Sequence, residues 1–334
     1  SITDEDIAIE GFKVYNIMNV INKPQKEFDN DIEYHLPKYL VNHKYYKNLY
    51  DKKHREFVKV ITGLENSKDV DEDKLNKYKY WLKEIIKIIE NICPERLAYS
   101  WDNVGLLCGD ENKDVKKVFV TLDTNINTVK EAISKNADMI ISHHPILLGG
   151  IKRIDYSTSV GQMLKLLIEN NIPLFAAHTN MDTAKGGIND KLAEMFELTD
   201  VKILDQHTDD SSAGLGRYGR LEKTIKLGDF TEHCKKILGT PFLRVSGDFE
   251  KDINTVAVAS GSCSEIIPLA FEKGADVIIT GDMKYHNMID MTELGICVID
   301  AGHYPTEICV MDIFEDILKD TDIELSLIHI SEPT

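Results

Sequence analysis

From about residue 83 onward, short apolar runs alternate with longer stretches in which apolar residues return every three or four positions. KKVFVTL (116–122), DMIIS (138–142), IPLFAA (172–177), TVAVAS (255–260), DVIIT (276–280) and ICVID (296–300) are short and rich in β-branched residues, so they predict strands. Helical patterns such as INTVKEAISKN separate most of them, and the helical run WLKEIIKIIENI precedes the first. Such alternation predicts an α/β fold of mostly parallel sheets with helices on both faces, in two similar halves of about 83–200 and 253–325. The passage 201–252, with GLGRYGRL, a helix from Asp229 to Leu238 and TPFLRV, reads as the join between them.

Residues 1–82 have another texture, alternating Lys with Asp and Glu and rich in Tyr, Asn and His. Tyr46, Leu49, Tyr50, Phe57, Val60, Ile61 and Leu64, then Leu75, Tyr78 and Leu82, recur at helical spacing, which predicts an N-terminal helical arm folded as a hairpin or coiled coil. The strand-like IAIEGFKVYNIMNVI, the following PKYLV and the K-x-Y-x-x-L-Y-x-K-K stretch resemble the C-terminal part of bacterial tRNA adenine-N1 methyltransferases. These residues lack the glycine-rich turn that would hold S-adenosylmethionine, so no methyl transfer is expected.

The chain of 334 residues is 43% hydrophobic and 28% charged, the balance of a globular protein. No apolar stretch has the length of a membrane span, and the first residues show no secretory pattern. The six cysteines are scattered and form no C-x-x-C pair, which predicts reduced thiols and a cytoplasmic setting. A net charge of −17 speaks against nucleic acid as a partner and for attraction of cations.

In open α/β sheets, ligands bind beyond the carboxyl ends of strands. There the sequence concentrates its unusual polar residues. DMIIS ends in His143-His144-Pro145, IPLFAA leads to His178-Thr179-Asn180-Met181-Asp182, and ICVID leads to His303-Tyr304-Pro305-Thr306-Glu307. Adjacent strand residues face opposite ways, so His143 and His144 share a centre only if the chain turns or two metals lie between them. A helix starting near Tyr304, with Pro305 in its first turn, would bring His303 and Glu307 to one side. Asp182 is expected in a loop before Gly186-Gly187. Each piece has a structural alternative: a hydrogen-bonded His pair, an Asp182 cap on a helix near Ile188, a Glu307 favoured by a helix dipole. Their coincidence at three strand ends points to metal, and imidazoles with carboxylates suit two divalent ions of zinc, manganese or iron.

Five segments, CPERLAYSWDNVGLLCGD, ISHHPILLGGIK, AAHTNMDTAKGGIND, ITGDMKYH and DAGHYPTE, resemble the dinuclear metal-centre family typified by YbgI, also described as Nif-three-like or GTP cyclohydrolase type 2-like. The resemblance covers about 83–325. It implies one metal on His144 and Asp182, another on His143 and His303, and Glu307 bridging both. It also implies a homo-hexamer with sites facing an internal cavity, and places His178 and His286 near the metals. Asp102 and Asn103 read as site lining or as turn residues. Some members insert a ferredoxin-like domain between the halves, and 201–252 is too short for one. After DIELS the residues LIHISEPT depart from the family ending and read as a non-native tail over 326–334, which removes His329 from the ligand candidates.

Two metals sharing a water suit hydrolysis, so the leading expectation is a metal-dependent hydrolase acting on a nucleotide-like or phosphorylated small molecule, with Glu307 and His178 as catalytic residues. The family label implies GTP cyclohydrolase-like chemistry, although no G-x-x-x-x-G-K-[ST] loop is present. Gly149-Gly150-Ile151-Lys152-Arg153 is an anion contact or a surface turn. The alternative is a protein that stores, delivers or senses metal without turnover.

Overall fold

A computed structural model describes residues 2–10, 13–20, 87, 89–111, 113, 115–149, 151–319 and 323–328. The chain divides into two compact units. In the first, β1 (Ile2–Glu10) pairs antiparallel with β2 (Lys13–Val20). The N-terminal segment is therefore not helical throughout: the strand-like run, rich in Ile and Val, forms a β ladder. The helices expected over 46–82 lie outside the described residues.

The second unit holds two mixed sheets. Its first half runs through β3 (Gly105–Cys108), β4 (Lys117–Thr121), α1 (Ile126–Ser134), β5 (Met139–Ser142), α2 (Ser159–Glu169), β6 (Leu174–Ala176), α3 (Thr179–Thr183) and α4 (Ile188–Met195). The chain continues through β7 (Thr199–Asp205), β8 (Leu215–Lys226), α5 (Leu227–Leu238), β9 (Arg244–Ser246), β10 (Asp252–Val258), α6 (Ile267–Glu272), β11 (Val277–Thr280), α7 (Tyr285–Glu293) and β12 (Cys297–Asp300). It closes with α8 (His303–Glu307), α9 (Val310–Leu318) and β13 (Glu324–Ile328). The sheets are ordered β13-β4-β5-β6-β3 and β7-β8-β10-β11-β12-β9.

The central strands of each sheet, β4-β5-β6 and β10-β11-β12, pair parallel. β3, β8 and β9 flank them antiparallel, so each α/β sheet has a parallel centre with antiparallel flanks. The 201–252 passage is also more than a join, because β7, β8 and β9 belong to the second sheet. Gly, Arg and Lys hide the strand pattern of LGRYGRLEKTIK, and pairing with β10 overrides that weak propensity. β13 reaches Ile328, so 326–328 extend a strand beside β4 rather than beginning a separate tail.

The central strands are apolar throughout because both faces are covered; all four residues of β5 and of β11 are buried. α1 starts at Asn125, whose side chain accepts from the Asn127 and Thr128 amides in a capping box, and it turns Val129 and Ala132 into a core with Phe119, Ile140 and Leu167. A second core gathers Ala257, Ile278 and Val298 with Ile267 and Ala270.

The two halves repeat one plan. Lys135-Asn136-Ala137-Asp138 leads into β5 and Lys273-Gly274-Ala275-Asp276 into β11. Asn136 and Gly274 both have positive φ, at 53° and 79°. The Asp138 carboxylate accepts from the Lys117 amide, and that of Asp276 accepts from the Asn254 and Thr255 amides, each at 2.9 Å. By this correspondence the turn after β6, His178-x-x-x-Asp182, matches the turn after β12, His303-x-x-x-Glu307.

Candidate metal centre

Register brings the strand ends level: Thr121 pairs with Ser142, Ser142 with Ala176, and Thr280 with Asp300. His143 and His144 follow β5 in a bend where successive amides donate to the Thr121 and Leu122 carbonyls at 3.2 and 3.0 Å, so the alternation of the strand is broken and the two rings lie 4.9 Å apart. His143 is fully buried, while the His144 side chain keeps 23% of its surface. α8 begins after Gly302, whose φ of 84° favours glycine, and its single turn aligns His303 with Glu307. Glu307 is 2% exposed. Its carboxylate lies 2.9 Å from His144 Nε2, 3.1 Å from His303 Nε2 and 3.7 Å from His143 Nε2. Gly261 has a φ of 62°, and a Cβ there would sit 2.2 Å from Glu307 Oε1, so this backbone must remain bare.

Asp182 sits in α3 rather than in a loop, because the amides of Met181 and Asp182 both donate to the His178 carbonyl and close a helical turn. It caps no helix at Ile188, where Gly187 holds the cap position. Ser260 donates to its carboxylate at 2.6 Å, and Asn189 donates to the Asp182 carbonyl and to Ser260, joining the two halves through buried polar atoms.

The imidazoles share one orientation. Nδ1 donates to the Ala177 carbonyl in His143, to Asp123 in His144, to Asp282 in His303 and to Asp102 in His178, at 2.7 to 2.9 Å. An oxygen acceptor on Nδ1 fixes the tautomer and leaves Nε2 as the ligating atom. His143 Nε2 is buried without a hydrogen-bond partner, and the buried His144 Nε2 and Glu307 Oε2 have only each other, 2.9 Å apart. Buried polar atoms are ordinarily satisfied, so this convergence fits a cation better than a hydrogen-bond network. Two ligand groups capable of holding an ion share Glu307: His143 with Asp182, and His144 with His303. The resemblance paired His144 with Asp182; here His143 groups with Asp182 and Glu307, and His144 with His303 and Glu307, while His143, His144 and His178 form a third group.

Charge follows the same geometry. Burial raises the Glu307 carboxyl, but the three imidazoles hold it well below the usual range. Burial raises Asp182, with His143 acting against it. Burial opposes ionisation of Asp102, yet the hydrogen bonds from His178 and Thr179 bring it down to about 2, so it is a carboxylate at neutral pH.

All five expected ligands therefore meet, with His178 beside them at 5.3 and 5.5 Å from the His143 and His144 rings. His286 does not: it is exposed on α7, against Tyr285. Asp102 meets the site through His178, whereas Asn103 binds the Leu147 carbonyl and supports a turn. Sequence reasoning missed Asp123, Asp282 and Ser260. All three lie just past the ends of β4, β11 and β10, where the strand-end rule already pointed. Removing one such orienting carboxylate typically lowers metal affinity about 10- to 100-fold. Asp282→Asn should therefore weaken metal binding by that factor in a competition titration with a chromogenic chelator, and an unchanged affinity would show that His303 needs no orienting partner.

The residues open on a cleft of about 820 Å³, lined by Tyr99, Trp101, His144, His178, Glu265 and His303 among others. Among the described residues no helix is long and apolar enough to cross a membrane. A Clostridium perfringens (strain 13 / Type A) protein described as a GTP cyclohydrolase 1 type 2 homolog is 38% identical over 246 residues, covering 73% of this chain and 94% of that protein. A Methanocaldococcus jannaschii protein of the same description is 36% identical over 252 residues, covering 74% of this chain and 98% of its own length. Reduced HcgD from Methanocaldococcus jannaschii shares the fold with a TM-score of 0.66 at 36% identity, over 75% of this chain and 98% of that one. A Bacillus cereus protein related to NIF3 gives a TM-score of 0.69 at 26% identity, over 75% and 97%. The Duf34/NIF3 (NGG1p interacting factor 3) pattern matches residues 81–334, and the chain belongs to that family.

Proposed function

We propose that this chain is a metal-dependent hydrolase with two divalent ions, of zinc, manganese or iron, at His143, Asp182 and Glu307 and at His144, His303 and Glu307, acting on a nucleotide-like or phosphorylated small molecule. The observation that carries this reading is the set of imidazoles held by oxygens at Nδ1 with Nε2 turned to one buried carboxylate on an open cleft. The description of the relatives as GTP cyclohydrolase 1 type 2 homologs supports a nucleotide-like substrate. When bound, such a pair of ions lowers the pKa of a shared water and stabilises charge on both sides of a displacement. His178 supplies the proton transfer. Its Nδ1 donates to the Asp102 carboxylate, so its Nε2 lone pair can accept a proton and return it to the leaving group.

A panel of GTP, phosphodiesters and phosphomonoesters, run with metal-loaded protein, tests the reading. His178→Ala should lower kcat by about 100- to 10,000-fold with metal content unchanged. Loss of metal in that variant would instead make His178 a ligand, and absence of turnover with reversible metal transfer to an acceptor would favour storage or delivery. We read the assembly as a homo-hexamer, in which exposed Leu148, Ile151, Ile154 and Tyr156 supply apolar surface to cover. The first 80 residues fall outside the family match; we read them as an appended arm like the end of a tRNA adenine-N1 methyltransferase, with no methyl transfer of its own.

A further inference from the structure

We infer that Trp101, backed by Tyr99, is a stacking platform that binds the planar heterocycle of the substrate beside the metal centre. The inference rests on the proposed reading of the centre as the site of a phosphoryl group, and it narrows the substrate class to compounds that join such a group to an aromatic ring.

Trp101 is 59% exposed, an unusual position for the largest side chain in a folded unit. It is not loose. The Tyr99 amide donates to Thr179 Oγ1 at 3.1 Å, and the Asp102 amide closes a turn onto the Tyr99 carbonyl at 2.9 Å. The Asp102 carboxylate accepts from His178 Nδ1 and from the amide and hydroxyl of Thr179. The segment on either side of Trp101 is thus fastened to α3, and the indole is held out rather than free to fold inward.

Behind it the rings are layered. Tyr99 lies 6.0 Å from Trp101 with planes 19° apart, and His207 lies 4.3 Å from Tyr99 with planes 14° apart. Tyr99 packs against the core of the second half, so the stack has a fixed base. Its outer member meets the cleft. Trp101 also touches His178 edge-on at 6.1 Å, and His178 in turn faces His143 and His144. A ring laid on the indole would therefore lie beside His178, one imidazole away from His143 and His144. Glu265, an exposed acceptor lining the same cleft, favours a ring that carries N–H donors.

Stacking of a base on an aromatic side chain is sequence-tolerant and changes affinity by roughly 5- to 150-fold. Calorimetric titration of the metal-loaded full chain with GMP and with ribose 5-phosphate, which lacks the ring, isolates that contribution. GMP should bind tighter by about that factor. Trp101→Ala should remove the advantage, leaving ribose 5-phosphate affinity and metal content unchanged, and Trp101→Phe should restore most of it. Equal affinities in the parent protein, or undiminished GMP binding in Trp101→Ala, would overturn the platform and leave the metal centre standing. Failure of both compounds to bind loaded protein would overturn the platform and the phosphoryl reading together.

Discussion

Glu307→Gln should leave the protein folded and nearly free of metal. The substitution keeps the shape of the side chain and removes its charge, which is the negative group nearest three imidazole nitrogens. Both candidate ligand groups built on it include Glu307, so one change weakens both ions. Losing an outer carboxylate costs about 10- to 100-fold in affinity, and losing a ligand common to both sites should exceed that range. Metal analysis of the purified variant should fall from near two ions per chain to well below one, and hydrolysis should fall with it. The amide also introduces N–H donors where lone pairs converge, so added metal should not restore turnover. Parent-like metal content and activity would sink the shared-carboxylate account. His286→Ala is the matched control, because that ring is exposed outside the centre and its loss should change neither quantity.

The sequence made this centre legible because its ligands obey two local rules. They follow apolar strand runs, and His303 and Glu307 are one helical turn apart. What escaped was long-range. Asp123 and Asp282 are single carboxylates in turns, and only the parallel register of β4 with β5 and of β11 with β12 sets each against its histidine. The arrangement of His143 and His144 was likewise hidden, since it depends on a bend past Ser142 in which successive amides donate to Thr121 and Leu122. β7 to β9 were missed because their polar sequences, broken by glycines in β8, become strands only through pairing with neighbouring strands. The repeated plan of the two halves explains why the centre is nearly symmetric. His178-x-x-x-Asp182 and His303-x-x-x-Glu307 approach from equivalent strand ends, while the His144 position of one half is taken by Asp282 in the other.

Metal should bind far more tightly at pH 9 than at pH 6.5, with release of protons from His144 and His303. Burial opposes a charge on His144, but Asp123 and Glu307 outweigh it and push its pKa up to about 10 in the metal-free protein. The Glu307 carboxylate raises His303 to about 9, against a smaller effect of burial. Both rings therefore carry a proton at neutral pH until a cation takes the Nε2 lone pair, and each proton expelled makes affinity rise about tenfold per pH unit. The stability of the metal-free fold runs the other way. A raised histidine pKa stabilises fully below the ordinary value of 6.5, and that contribution is lost as pH climbs through about 9 and 10. The depressed Glu307 stabilises above its ordinary 4.5 and is lost as pH falls through its folded value. These three groups thus support the metal-free protein best between 4.5 and 6.5. The gap in Tm between loaded and chelator-treated protein should widen steadily from pH 6.5 to 9. Calorimetry at pH 7.5 in buffers of different ionisation enthalpy should show release approaching two protons per chain. A constant gap, or no proton release, would mean that both rings are already neutral and that the ion-paired description of the metal-free centre is wrong.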